Sequence, residues 1–140
     1  MLSTAIALTA QKFVNTLDKG GNPYILHCLR VMNGVDQNDE ELMCIAVMHD
    51  LVEDTNVTLD ELRYLGFSER VIRGVDTMTH RDEEDYETYI KRIALNPDTI
   101  KVKRSDLIDN SNITRLKGLR KKDFDRLEKY SKAFIYLKDL

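Results

Sequence analysis

Apolar residues recur at helical spacing along almost the whole chain, and no segment shows the sustained alternation of a half-buried strand. That pattern restricts the fold to packed helices. Ile6, Leu8, Phe13, Val14 and Leu17 predict a first amphipathic helix that Gly20-Gly21 stops. Asn22 suits an N-cap and Pro23 the first helical position of a second helix, running to about Gly34. Asp39-Glu40-Glu41 place negative charge at the start of a third, through Leu42, Ile45, Ala46 and Met48 into His49-Asp50. Thr58 and Glu61 form a capping-box pattern before a short helix that Gly66 ends, and Ser68 caps another carrying Val71, Ile72, Val75 and Met78. Tyr86, Tyr89, Ile90 and Ile93 mark a sixth, stopped before Asn96-Pro97; Asp98 opens a seventh with Ile100, Val102, Leu107 and Ile108. Phe124, Leu127, Tyr130, Phe134 and Leu137 form the last. The expectation is an all-α fold, one compact domain over residues 1–140 with seven to eight helices.

Composition narrows the class further. A chain of 140 residues can bury a core without staples. No apolar run is long enough to span a membrane. The stretch from Met1 to Leu17 lacks a basic n-region and reads as an amphipathic helix, not a signal peptide. Cys28 and Cys44 sit on apolar helix faces without metal-type spacing, so they read as buried reduced thiols of a cytoplasmic protein. Charge is uneven: residues 1–100 carry 9 Lys/Arg against 18 Asp/Glu, residues 101–140 carry 12 against 6. A basic C-terminal third beside an acidic centre suits a phosphate-rich small molecule, or is a solvated helical surface. Without an aromatic-interleaved basic stripe, a nucleic-acid partner is not expected.

The stretch His49-Asp50-Leu51-Val52-Glu53-Asp54-Thr55 carries the chemistry. A histidine and an aspartate can ligate a divalent metal. In a continuous helix Glu53 lies one turn past His49 and Asp54 one turn past Asp50, which sets two acid–base groups beside two ligands. A lone His-Asp pair is weak evidence; its companions give it weight. His27 on the second predicted helix and Asp106 on the seventh complete a set of two imidazoles and two carboxylates, suited to Mn²⁺, Fe²⁺ or Zn²⁺. Such an ion activates water and offsets charge building on a phosphoryl oxygen. Lys103 lies one turn before Asp106 and Asn110 one turn after it, a cation and an amide that can hold phosphate, ribose or base. His80, followed by Arg81-Asp82-Glu83-Glu84, reads as part of a polar surface loop or, alternatively, of a loop over the active site, and Tyr86, Tyr89, Tyr130 and Tyr136 as the edge of the core.

These residues resemble those of a known family. Gly21-Asn-Pro-Tyr-Ile-Leu-His27, His49-Asp-Leu-Val-Glu-Asp-Thr55 and Val102-Lys-Arg-Ser-Asp-Leu-Ile-Asp-Asn110 match, in order and spacing, the HD-domain metal-dependent phosphohydrolases. Within them the chain looks most like the hydrolase domain of RelA/SpoT-type alarmone enzymes and their small stand-alone relatives. The resemblance implies an HD-type helical domain that removes the 3′-pyrophosphate of ppGpp or pppGpp with a divalent metal, most often Mn²⁺. It implies His27, His49, Asp50 and Asp106 as metal ligands and Glu53 and Asp54 as the catalytic acidic pair. Lys19, Tyr24, Lys103 and Asn110 match positions at or near the nucleotide. At this length no synthetase domain is expected.

The chain departs from the family at defined points. Asp18-Lys19 stands where the family usually has Arg-Lys, whose arginine helps grip guanine. Where the family usually has a histidine before the asparagine and an Asn-Met-Arg-Thr run, this chain reads Asp109-Asn110-Ser111-Asn112-Ile113-Thr114, and Thr79-His80 stands for Thr-Lys. Two further readings therefore stand beside the alarmone hydrolase. One is an HD phosphohydrolase for another nucleotide or small phosphate ester, and the other a nucleotide-binding module without catalysis.

Overall fold

The computed structural model describes all 140 residues as helices and connecting turns. In chain order they are α1 (Leu2–Lys12), α2 (Tyr24–Asn33), α3 (Glu40–Val47), α4 (Leu51–Asp54), α5 (Leu59–Tyr64), α6 (Glu69–Met78), α7 (Tyr86–Ile93), α8 (Pro97–Asn110) and α9 (Lys121–Lys138), with a 3₁₀ turn at Ile113–Arg115. Eight exceed one turn; α4 is a single turn carrying on from α3. The one β-type contact is an isolated antiparallel bridge between Leu17 and Pro23.

Helix α3 is the hub. Leu42 through Val47 are all buried, and the helix packs against α1, α2, α6 and α8. Its approach to α6 depends on Gly74, where an added Cβ would stand 2.5 Å from Ile45 Cδ1. Side-chain oxygens of Asp39, Thr58, Ser68, Asp85 and Asn96 accept the free backbone N–H groups at the starts of α3, α5, α6, α7 and α8. Each such cap contributes about 1 kcal/mol. Arg70 of α6 joins the starts of α3 and α8 by ion pairs to Asp39, Glu41 and Asp98. Cys28 and Cys44 are buried and free. No helix is long and apolar enough to cross a membrane.

Several boundaries differ from expectation. Helix α1 ends at Lys12, not at Gly20, and Val14 and Leu17 are exposed. Phe13 turns inward instead, its ring 4.9 Å from that of Tyr24. Pro23, not Asn22, is the N-cap of α2, while Pro97 takes the first position of α8 behind the Asn96 cap. The expected continuous helix through His49-Asp50 breaks at Met48–Asp50. His49 Nδ1–H donates to the Ala46 carbonyl at 2.7 Å, and the local backbone bonds tighten to the i−3 spacing. Ile108 and Phe124, expected in the core, are exposed. Helix α8 instead buries Lys103, Asp106 and Asp109, a polar face that only a functional or fully paired cluster makes tolerable.

Candidate metal centre and nucleotide cavity

The four expected ligands converge from α2, the α3–α4 turn and α8. His27 Nε2 lies 3.1 Å from Asp106 Oδ1 and 3.8 Å from Asp50 Oδ2. His49 Nε2 lies 2.9 Å from Asp50 Oδ2 and 3.4 Å from Asp106 Oδ1. Each imidazole is oriented from behind. His27 Nδ1–H donates to Asp109 Oδ2 at 2.6 Å, and His49 Nδ1–H to the Ala46 carbonyl. With the protons on Nδ1, both Nε2 lone pairs face carboxylate oxygens, and both atoms are buried with no hydrogen-bond partner. Four electron-rich atoms pointed at one another in a largely buried site repel unless a cation lies among them. The donor set therefore fits a divalent ion.

Titration shifts report the same demand for positive charge. Burial pulls His49 down, but the charges of Asp50 and Asp106 outweigh it and raise its pKa well above the ordinary value. Burial pushes Asp106 up, but Lys103 and His49 outweigh it and hold the carboxyl well below the usual range. Lys103 Nζ donates to Asp106 Oδ2 at 2.8 Å and sits over the Tyr89 ring, buried beneath the ligand. Asn110 Nδ2 donates to Asp106 Oδ1 at 2.9 Å. Tyr24 O–H donates to Asp50 Oδ2 and lines the adjoining cavity.

The acidic pair occupies two different settings. Asp50, Glu53 and Asp54 bring carboxylate oxygens within 4.8 Å of one another. Burial, then the charges of Asp50 and Glu53, push Asp54 up to about 6. Glu53 is separated from His49 by the helix break; its Oε1 accepts the His80 N–H at 2.7 Å. Of the two readings of this loop, surface or over the site, the contact favours the second. Arg92 braces it, donating to the Thr77 and Thr79 carbonyls and to Glu84, which it holds down to about 2.

Beside this cluster a cavity of about 360 Å³ is lined by Lys19, Tyr24, Asp54, Asn110, Arg126 and Tyr130 among others. That volume lies in the range of small-ligand sites. Lys19 stands exposed at its rim. Asp18 is not a bare acid there: its Oδ1 accepts the Gly20 and Asn22 N–H groups, and its Oδ2 pairs with Arg115 Nη2 at 3.1 Å. The turn packs this closely because Gly20 has no Cβ; one would lie 1.8 Å from the Arg115 carbonyl oxygen.

Sequence marks Asp109 only as a departure from the family pattern and gives Arg115 no role. Asp109 also accepts from Arg30 Nε at 2.7 Å, and Arg115 Nη1 reaches it at 3.0 Å. Burial pushes Asp109 up, but His27 and Arg30 outweigh it and bring it to about 2. Its place three residues past Asp106, on the same helix face, was a usable signal. Arg115 carried none: it sits in a 3₁₀ turn and its Asp18 partner is 97 residues away.

No protein-family model matches the chain. It is 35% identical over 102 residues to a guanosine-3′,5′-bis(diphosphate) 3′-pyrophosphohydrolase of Aquifex aeolicus, a match covering 66% of this chain and 14% of that protein. It is 29% identical over 126 residues to a probable GTP pyrophosphokinase of Mycobacterium leprae, covering 82% of this chain and 16% of that one. The chain thus spans about a sixth or less of the length of these relatives. A solved structure of a metazoan ortholog of SpoT that hydrolyses ppGpp superposes with a TM-score of 0.81 at 20% identity, over 97% of this chain and 84% of that one. In sequence and in fold alike, the chain is similar to the RelA/SpoT-type HD hydrolase domain.

Proposed function

We propose that residues 1–140 form one HD-type phosphohydrolase domain that removes pyrophosphate from the 3′ position of ppGpp or pppGpp, with Mn²⁺ held by His27, His49, Asp50 and Asp106. The observation that carries this reading is the pair of buried, unpartnered Nε2 atoms facing two carboxylates beside a nucleotide-sized cavity. The similarity to a 3′-pyrophosphohydrolase supports the choice of substrate.

An ion held by His27, His49, Asp50 and Asp106 would supply Lewis acidity for phosphoryl chemistry. Glu53 and Asp54 take the proton of the attacking water. Glu53 is oriented through the His80 N–H, which occupies one carboxylate oxygen and leaves the other for water. A bond forms from the water oxygen to the phosphorus on O3′, the O3′–P bond breaks, and O3′ leaves with a proton, giving pyrophosphate and GDP or GTP. Lys103 and Asn110 hold Asp106 in place from its two oxygens. Lys19 and Tyr24 line the cavity that takes the nucleotide.

Purified protein with Mn²⁺ and ppGpp should release equimolar pyrophosphate and GDP, stop on chelation and resume when Mn²⁺ is restored. Metal-loaded protein that releases neither product would overturn the substrate assignment.

The pH dependence has a defined sign. Asp54 accepts a proton only when ionised, and its pKa stands at about 6 without the ion, whose charge draws it lower. The rate should rise with pH and its acid limb should lie at or below about pH 6. A pH profile of kcat/KM with an acid limb centred above pH 7 would exclude Asp54 as that acceptor.

A further inference from the structure

The segment that leaves α8 and enters α9 gathers, together with Lys19, cations of which only Arg126 has a carboxylate partner. Lys19, Lys117, Arg120, Lys122 and Arg126 surround a depression of about 320 Å³. Asp123 is its one carboxylate, and its oxygens are occupied: Oδ2 accepts the Arg120 N–H at 2.8 Å, and Oδ1 pairs with Arg126. None of Lys19, Lys117, Arg120 or Lys122 has a carboxylate within ion-pair range. The ammonium of Lys19 is held below its ordinary value by burial and then by Arg126, with Lys122 and Lys129 adding to the effect against Asp123.

The arrangement also runs against helix electrostatics. Arg120, Lys121 and Lys122 stand at the positive end of α9, the 18-residue helix, where anions are favoured and cations are not. A locally unfavourable choice of residue is explained when a ligand offsets it. Gly21, at φ 84°, leaves room for Lys117, whose Nζ would lie 3.2 Å from a Cβ at that position. The depression adjoins the cavity beside the metal centre, with Lys19, Leu116, Asp123 and Arg126 as a common wall. A ligand that leaves the cavity across that wall enters a field of positive charge.

We propose that this depression is a subsite for the 5′-phosphate chain of the substrate nucleotide, and that it favours a 5′-triphosphate over a 5′-diphosphate. This rests on the nucleotide reading of the cavity. Lys117, Arg120 and Lys122 are the residues that a third phosphate meets. They act on binding, not on the reacting phosphorus at the 3′ side.

The test has two arms, each read on the full chain. In the first, the protein is titrated with inorganic tripolyphosphate by calorimetry, before and after chelation, so that ligation of phosphate to metal is separated from the depression. The combined K117A/R120A/K122A variant should bind about tenfold or more weakly. A K91A/K101A/K132A variant, with the same loss of charge on exposed positions elsewhere, should bind as the parent does. No binding by the parent, or equal loss in both variants, overturns the subsite.

In the second arm, kcat/KM is compared for the 5′-triphosphate and 5′-diphosphate substrates. The advantage of the triphosphate should vanish in K117A/R120A/K122A through KM, with kcat kept. An advantage that persists in that variant overturns the proposal. If neither nucleotide is hydrolysed while tripolyphosphate binding still depends on the three cations, the anion subsite stands and it is the alarmone reading that fails.

Discussion

Glu53→Gln should lower turnover of ppGpp by about 10²–10⁴-fold while the protein keeps its Mn²⁺. The substitution is nearly isosteric. A glutamine carbonyl still accepts the His80 N–H that Glu53 Oε1 takes at 2.7 Å, so the loop stays in place. What is lost is a second oxygen able to receive a proton. Asp54, within 4.8 Å of the same cluster, gives the measurement its second half. If the two carboxylates work as a unit, Asp54→Asn should cost a similar factor and the double variant little more. Metal content by atomic absorption and unfolding midpoint separate this from collapse of the site. Full turnover in Glu53→Gln, or a loss that tracks with metal, would remove Glu53 from the chemistry.

Caps and ligands were legible in the sequence to different depths. Thr58 and Ser68 cap α5 and α6 where their spacing put them, and Gly66 follows α5 at φ 95°, because these signals are local and act through the backbone. That His27, His49, Asp50 and Asp106 belong together was legible because each is a metal-ligating residue type and their order and spacing match the family pattern. Apolar periodicity was a poorer guide. It carried α1 past Lys12, since Phe13 packs inward whether or not the helix continues. It placed Ile108 inside, whereas α8 turns its polar face to the core and Ile108 to solvent. The helix break at His49 has no local composition signal; it follows from the side chain's own bond to Ala46. His80 meets Glu53 across 27 residues and Arg115 meets Asp18 across 97, a range that spacing arguments do not cover.

Arg115→Met should be the most destabilising single change around the cavity. Its guanidinium joins Asp18 and Asp109, and its side chain is 15% exposed against 6% and 10% for those partners. In the variant Asp109 keeps Arg30 and His27, but Asp18 is left with no counterion, at a cost of roughly 3–5 kcal/mol. For Asp18, burial pushes the carboxyl up, while the Asn22 N–H and Arg115 outweigh it and hold it below the usual range. A depressed carboxylate stabilises the fold above its ordinary pKa, and that contribution is lost as pH falls through the lowered value. The gap between parent and variant should therefore be full at pH 7 and narrow below about pH 4, where the orphaned Asp18 carboxylate protonates. Asp18→Asn in the same background should recover part of the loss, since a neutral amide needs no counterion. Denaturant unfolding of the four proteins in this cycle at pH 7 gives the coupling directly. A coupling near zero would mean that Asp18 and Arg115 are independent. The acid at position 18 would then owe its place to the Gly20 and Asn22 N–H groups alone, with the guanidinium free to meet the nucleotide.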